Sequence, residues 1–232
     1  MSDLSVTVHA PELVLVPAGT WTIGCDGSRD DEAPARRVTL PAFRAAVAPV
    51  TNVEYRRFTD ATGHDAPPFL DQPELAHDDR PVVGVSWFDA TAYVEWLSSE
   101  LNVAFRLPTE AEREVASRGG LDRMSWPWGE DDPEQLDRLS NIAARKEPHV
   151  PGEACANAYG LRCMADNVHE WCSNWYAVEP VDEPQGPGTG TRRASRGGSW
   201  RHHCKFTRVS ARSSLPPEMR YSDYGFRVYA NA

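Results

Sequence analysis

Three stretches of the chain carry a pattern that is typical of short helices. In each, a hydroxyl residue stands three positions before a carboxylate: Thr51 and Glu54, Ser86 and Asp89, Thr109 and Glu112. Such capping boxes predict helices over residues 52–62, 87–101 and 110–118. The middle helix also has an apolar face at helical spacing, formed by Ala90, Tyr93, Val94, Leu97 and Leu101. We expect all three helices to be scaffold.

Short apolar runs elsewhere predict strands over residues 12–16, 21–23, 38–40 and 43–47. Residues 25–36 are polar and acidic and read as a loop, residues 157–160 read as a turn, and residues 180–191 are rich in Pro and Gly and predict a surface loop. Few helices, short strands and much loop predict a single compact α+β domain over residues 1–232, with its core at about 14–230.

The formal net charge of −10 disfavours a nucleic-acid partner, which normally requires a basic surface. We see no signal peptide and no apolar run of membrane-spanning length, so we expect a cytoplasmic protein without a membrane partner. The five cysteines lack the spacing of a zinc ribbon, and in a reducing compartment most would be free thiols.

Polar and aromatic chemistry is concentrated in residues 193–227 and 163–175. If residues 200–206 are extended, His202 and Cys204 point to one face and His203 to the other. An imidazole and a thiolate on one face suit Cu(I) or Zn(II), and His169 becomes a third ligand if the two segments pack together. The alternative is a reactive Cys204 thiol without a metal, its pKa lowered by nearby cations including Arg208.

Eight motifs now line up in order along the chain: PVTNVEY (49–55), PVVGVSW (81–87), RLPTEAE (106–112), WPWG (126–129), NAYGL (157–161), NVHEW (167–171), RGGSW (196–200) and GFR (225–227). This set resembles the formylglycine-generating enzyme, or sulfatase-modifying factor, family. The resemblance covers the chain from about residue 14 onward. It implies a variant of the C-type-lectin-like fold with little regular secondary structure.

Members of that family differ in function. Some oxidise a sulfatase cysteine to formylglycine with O2 and a Cu(I) ion held by two cysteines, and others bind ligands. By resemblance, the second copper cysteine falls on Cys204. The first falls on no cysteine, and the nearest residue is His202. We therefore expect Cys204 and His202 to be the catalytic residues and the copper ligands.

The resemblance also implies a structural calcium ion near the NVHEW motif, with Asp166, Val168 and Glu170 as ligands. A second calcium site would use Asn141. The alternative is that Glu170 and Asp166 bind loop N–H groups of the protein itself.

The C-terminal segment lines the ligand groove in this family, so Trp200, Tyr221 and Tyr224 are expected to contact the ligand. Four arginines offer bidentate binding of an anion, Arg196, Arg208, Arg212 and Arg227. The alternative is that they pair with the chain's own carboxylates, which we expect for most of them. We keep Arg208 as a substrate-binding candidate.

Two functional hypotheses follow. The first is an O2-using oxidoreductase that acts on a thiol-containing peptide or small molecule through Cys204. The second is a lectin-like binding module that holds a ligand or partner and performs no chemistry.

Overall fold

The computed structural model describes residues 8–122, 124–128, 147–154, 156–165, 167–179, 184–202 and 206–232. Its helices are α1 (Asn52–Thr62), α2 (Trp87–Leu101) and α3 (Glu110–Arg118), which confirms all three predictions. Each begins with the predicted capping box. Even the short Asp89 side chain reaches back to its cap, with Oδ2 accepting from the Ser86 backbone N–H at 2.7 Å.

Ten strands lie within these residues, and the four predicted ones are confirmed to within two residues at each end. The strands are β1 (Leu13–Val16), β2 (Gly19–Ile23), β3 (Arg36–Leu40), β4 (Phe43–Ala46), β5 (Phe105–Arg106), β6 (His169–Trp175), β7 (Arg193–Arg196), β8 (Arg212–Leu215), β9 (Tyr224–Gly225) and β10 (Tyr229–Asn231). The predicted α+β class is confirmed, and the predicted turn at residues 157–160 closes with Gly160 N–H donating to the Asn157 carbonyl.

The strands form three sheets. One has the order β1-β4-β10-β5, one pairs β2 with β3, and the third has the order β8-β7-β6-β9. In the third sheet β9 runs parallel to β6, so that His169 lies opposite Tyr224 and Glu170 opposite Gly225. This pairing brings together the two segments in which the sequence concentrates its polar and aromatic residues.

Aromatic packing joins the first two helices to the C-terminal segment. Tyr55 of α1 stacks on Tyr93 of α2 with ring centroids 5.8 Å apart, and Phe226 contacts both rings edge-on. These side chains are buried within one continuous apolar cluster. None of the helices in the described part of the chain is long and apolar enough to cross a membrane.

Helix α3 is unusual because its sequence is strongly polar, yet all nine of its residues are buried. Its charges are satisfied by ion pairs within the protein. The Glu110 carboxylate accepts hydrogen bonds from Arg196 at 3.0 Å and from Arg212 at 2.7 and 2.8 Å, and Glu114 pairs with Arg118 at 2.6 Å. The polar character of α3 therefore marks an internal ionic network and not a solvent-facing surface.

The Glu170 carboxylate of β6 is the most enclosed acid of this network. Arg113 of α3 donates to its Oε2 at 2.7 Å, and Arg227 donates to its Oε1 at 2.9 Å. Arg227 Nε donates to the same carboxylate, and the terminal nitrogens of Arg227 also donate to the backbone carbonyls of Ala46, Val47 and Arg162. All three charged side chains of this ion-pair triad are buried, and they tie α3, β6 and the C-terminal segment together.

We expect Glu170→Gln to destabilise the fold by about 3–5 kcal/mol, because it leaves two guanidinium groups buried without their counter-ion. Urea unfolding near neutral pH measures this loss. The control is Asp78→Asn, which breaks an exposed ion pair with Arg56 and should leave the unfolding midpoint unchanged. Equal midpoints for Glu170→Gln and the control would contradict the role assigned to the triad.

Glu110 should contribute to acid unfolding. Burial opposes its ionisation, but Arg196 and Arg212 outweigh that effect and hold its pKa below the ordinary value of 4.5. A depressed carboxyl pKa stabilises the native state above the unfolded-state pKa, and this stability is lost as the pH falls below 4.5. We expect Glu110→Gln to lose less stability than the wild type between about pH 5 and about pH 2 in urea unfolding. The exposed Glu95→Gln should follow the wild-type pH dependence, and a variant Glu110→Gln that did the same would refute the prediction.

Candidate functional site

Three backbone segments meet at the end of β6, and main-chain hydrogen bonds hold them together. The His169 N–H donates to the carbonyl of Asp223 at 2.9 Å, and the Trp200 N–H donates to the carbonyl of Asn167 at 2.9 Å. The segment before β6, the segment after β7 and the segment before β9 are thus fixed in contact with one another. Their side chains form the candidate site.

Two histidines and one aspartate lie at the centre of this junction. The His169 Nε2 and His202 Nδ1 atoms are 3.1 Å apart, and His202 Nε2 lies 3.7 Å from Asp223 Oδ2. The same Asp223 oxygen accepts a hydrogen bond from the Ser199 hydroxyl at 2.9 Å. We call His169, His202 and Asp223 the His/His/Asp cluster.

The cluster reaches from the interior to the surface. His169 and Asp223 are buried, whereas 38% of the His202 side chain is exposed. Burial lowers the pKa of His169 to about 4, although the Asp223 carboxylate opposes this effect. Burial also lowers the pKa of His202 below 6.5, so both imidazoles are neutral near pH 7 and each offers a lone pair.

Aromatic rings surround the cluster. The Tyr224 ring stacks on His169 with centroids 4.6 Å apart, and its hydroxyl contacts Ser195 and Ser213. Phe206 lies 6.0 Å from the His202 ring. Tyr224 thus covers one face of the buried imidazole, and His202 is the histidine of the cluster that solvent and ligands reach.

The sulfatase-modifying factor enzyme 1-like domain, as a family model, matches residues 3–232, which is nearly the whole chain. The chain belongs to this family. The formylglycine-generating enzyme of Streptomyces coelicolor is 35% identical, over 94% of this chain and 89% of that enzyme. A serine/threonine-protein kinase pkn1 of Chlamydia pneumoniae is 33% identical over 95% of this chain, but the chain spans only 38% of that kinase.

A solved structure of this fold is similar along its whole length. Treponema denticola variable protein 1 superposes with a TM-score of 0.84 at 26% identity, and the match covers 97% of this chain and 98% of that one. The eight motifs predicted membership of the sulfatase-modifying factor family, and the family match confirms it. The superposition agrees with this family.

The structure corrects one premise about the thiol segment. The shared face of His202 and Cys204 was predicted on the condition that residues 200–206 are extended. Instead, Trp200 and Arg201 form a turn, with the His202 N–H donating to the Ser199 carbonyl at 3.0 Å. Strand alternation therefore does not set which side chains share a face with His202. The expected ligand and nucleophile Cys204 lies outside the described residues, as do Asp166 and Asn141, so their assigned roles stay predictions.

The arginines follow the alternative in which they pair with internal carboxylates. Arg196 and Arg212 bind Glu110, and Arg227 binds Glu170. Arg208, kept as a substrate-binding candidate, donates to Glu32 at 2.6 Å, so its charge is already neutralised within the protein. This contact corrects the expectation that Arg208 acts as a bare cation near the thiol.

Two of the implied calcium ligands, Glu170 and Val168, lie within the described residues, and their surroundings differ. Both oxygens of Glu170 accept hydrogen bonds from guanidinium groups, and a carboxylate so paired does not fit a calcium site. Val168 is buried in a small apolar cluster with Trp200, Leu75 and Val83.

The three ligand-groove candidates differ in exposure. Trp200 packs inside the protein and Tyr224 is buried, whereas Tyr221 is 44% exposed.

Sequence reasoning missed Asp223. It stands in the segment that the sequence marked as important, but no spacing relates it to the histidines. Its position follows only from the parallel pairing of β9 with β6, because that pairing places Tyr224 opposite His169. By contrast, His169 was identified as a third ligand if the segments packed together, and the structure confirms that they do.

Gly225 is needed for this pairing. A side chain there would overlap with the Val82 carbonyl oxygen. We expect Gly225→Ala to push β9 away from Val82 and to lower stability by about 1–3 kcal/mol in urea unfolding. Gly152→Ala is the control, because a Cβ there meets nothing within 4 Å, and it should change stability by less than about 0.5 kcal/mol. Equal stability of the two variants would contradict this account.

Proposed function

We propose that this protein is an oxygen-using oxidoreductase that oxidises a thiol-containing peptide or small molecule, with His202 and Cys204 at its reactive surface. The observation that carries the proposal is the partly exposed, neutral imidazole of His202, which stands over buried His169 and Asp223 and precedes Cys204 by two positions. Membership of the sulfatase-modifying factor family supports an oxygen-using activity.

The residues at this surface suit the handling of a thiol proton. The thiolate is the reactive form of a thiol, and a neutral imidazole accepts the proton when a thiolate forms. His202 would take that proton, because it is the imidazole of the cluster that a substrate can reach. The nearby Asp223 carboxylate would stabilise the resulting imidazolium, since an opposite charge favours the charged form of a neighbouring group.

Copper(I), which the resemblance implies, fits the donor types available here. Imidazole and thiolate both bind copper, and the partly exposed His202 would hold the ion together with Cys204. Because a neutral imidazole has one lone pair, His202 would be a ligand in the copper-loaded protein and a proton acceptor in the metal-free protein. When bound, copper would supply the transfer of electrons to O2.

The proposal is tested by oxygen uptake with a thiol peptide after anaerobic Cu(I) loading. We expect Cys204→Ser to reduce uptake to the protein-free background. His202→Gln should reduce uptake by about 100-fold or more, the usual size of an acid–base contribution. Mass spectrometry of the peptide identifies the oxidised product.

The matched control is Cys25→Ser, which removes a thiol from the N-terminal part of the sequence and should leave oxygen uptake unchanged. The proposal is rejected if the wild type consumes no O2 above background. It is also rejected if Cys204→Ser and Cys25→Ser behave alike.

A second candidate is a binding module without chemistry. Two exposed aromatic side chains near the cluster favour it: Phe206, 39% exposed, and Tyr221, 44% exposed and 6.2 Å from the Tyr224 ring. Exposed aromatic rings give a ligand apolar area and a polar edge to contact. This function predicts that a ligand raises the melting temperature without turnover and that Cys204→Ser has no effect.

A further inference from the structure

We infer that His169, His202 and Asp223 form a binding site for one divalent transition-metal ion. One nitrogen of each histidine and one oxygen of the aspartate lie within 4.8 Å of one another. This inference goes beyond the proposed function, because the site uses neither Cys204 nor a thiol substrate. It can hold even where the oxidase activity does not.

The spacing of the two imidazoles matches that of two ligands on one ion. Metal–nitrogen bonds of about 2.0–2.1 Å place neighbouring ligand atoms about 3.0–3.4 Å apart in octahedral or tetrahedral geometry. His169 Nε2 and His202 Nδ1 are 3.1 Å apart. At this distance the two nitrogens share one proton in a hydrogen bond, and a metal ion would take the place of that proton.

The third ligand is held from two directions. The Asp223 backbone carbonyl accepts from the His169 N–H at 2.9 Å, and its carboxylate accepts from the Ser199 hydroxyl at 2.9 Å. Carboxylates that bind metals are commonly oriented by such hydrogen bonds. One nitrogen of each imidazole and one oxygen of this carboxylate lie within 4.8 Å of one another, which is close enough for the three groups to surround one ion.

The donor set selects the kind of ion. Two imidazoles and one carboxylate suit Fe(II), Co(II) or Zn(II), and a set of this composition with open positions is the one used by non-haem iron oxygenases. Calcium and magnesium prefer oxygen ligands, so they fit poorly. His202 is partly exposed, so the ion's remaining positions would face solvent and could accept water or a small ligand.

Titration of the chelator-free protein with Co(II) tests the inference, followed by visible absorption and by calorimetry. We expect one Co(II) per chain. Loss of a supporting hydrogen-bond partner typically weakens metal binding by about 10–100-fold. His202→Ala and Asp223→Asn each remove a ligand, so each should weaken Co(II) binding by more than this. Ser199→Ala, which removes such a partner, should fall within that range.

Two controls separate this site from others. His77→Ala, at an exposed histidine far along the chain, and Cys204→Ser should both retain wild-type Co(II) affinity. Because His202 is at the surface, His202→Ala should fold normally, as circular dichroism and the melting temperature would show. It therefore decides the question even if Asp223→Asn proves unstable.

The inference is overturned if no stoichiometric Co(II) binds or if His202→Ala binds as tightly as the wild type. Loss of binding in Cys204→Ser would overturn it as well, because it would assign the ion to a thiolate site. Absent oxygen uptake with intact Co(II) binding would reject the proposed oxidase and leave the metal site standing.

Discussion

The buried carboxylate of Glu170 is the contact on which the rest of this structure depends. It lies between the guanidinium groups of Arg113 and Arg227, and through them it joins a helix, the central strand of a sheet and the C-terminal segment. The next residue toward the N-terminus is His169, so the same contact fixes the depth and direction of the buried imidazole. Structure and candidate chemistry therefore share one anchor.

Buried ion pairs of this kind are not an efficient source of net stability, because removing charges from water costs about as much as their attraction returns. They do impose geometry, since a guanidinium meets a carboxylate in few orientations. The chain uses this repeatedly: Glu110 with Arg196 and Arg212, and Glu32 with Arg208. The protein has little regular secondary structure, so these ion pairs fix the positions of loops that a larger sheet would otherwise hold.

The sequence predicted the local features well and the distant contacts poorly. Each helix carries its own start signal, so its limits can be read from a few residues around Thr51, Ser86 and Thr109. The parallel pairing of β6 and β9 joins segments far apart in sequence, and no local pattern encodes it. Hence Asp223 was missed. The face assigned to His202 depended on an extended segment after Trp200, and that condition is not met, because a turn closed by Ser199 and His202 forms there.

That parallel pairing also has a consequence for how the protein reaches its final state. Closing a long loop costs chain entropy before the contact returns any energy, so pairings between distant segments tend to form late in folding. His169 and Asp223 belong to such a pairing. A nascent or partly folded chain would therefore lack the assembled cluster, and any reactivity that depends on it would arise only when β9 is in place.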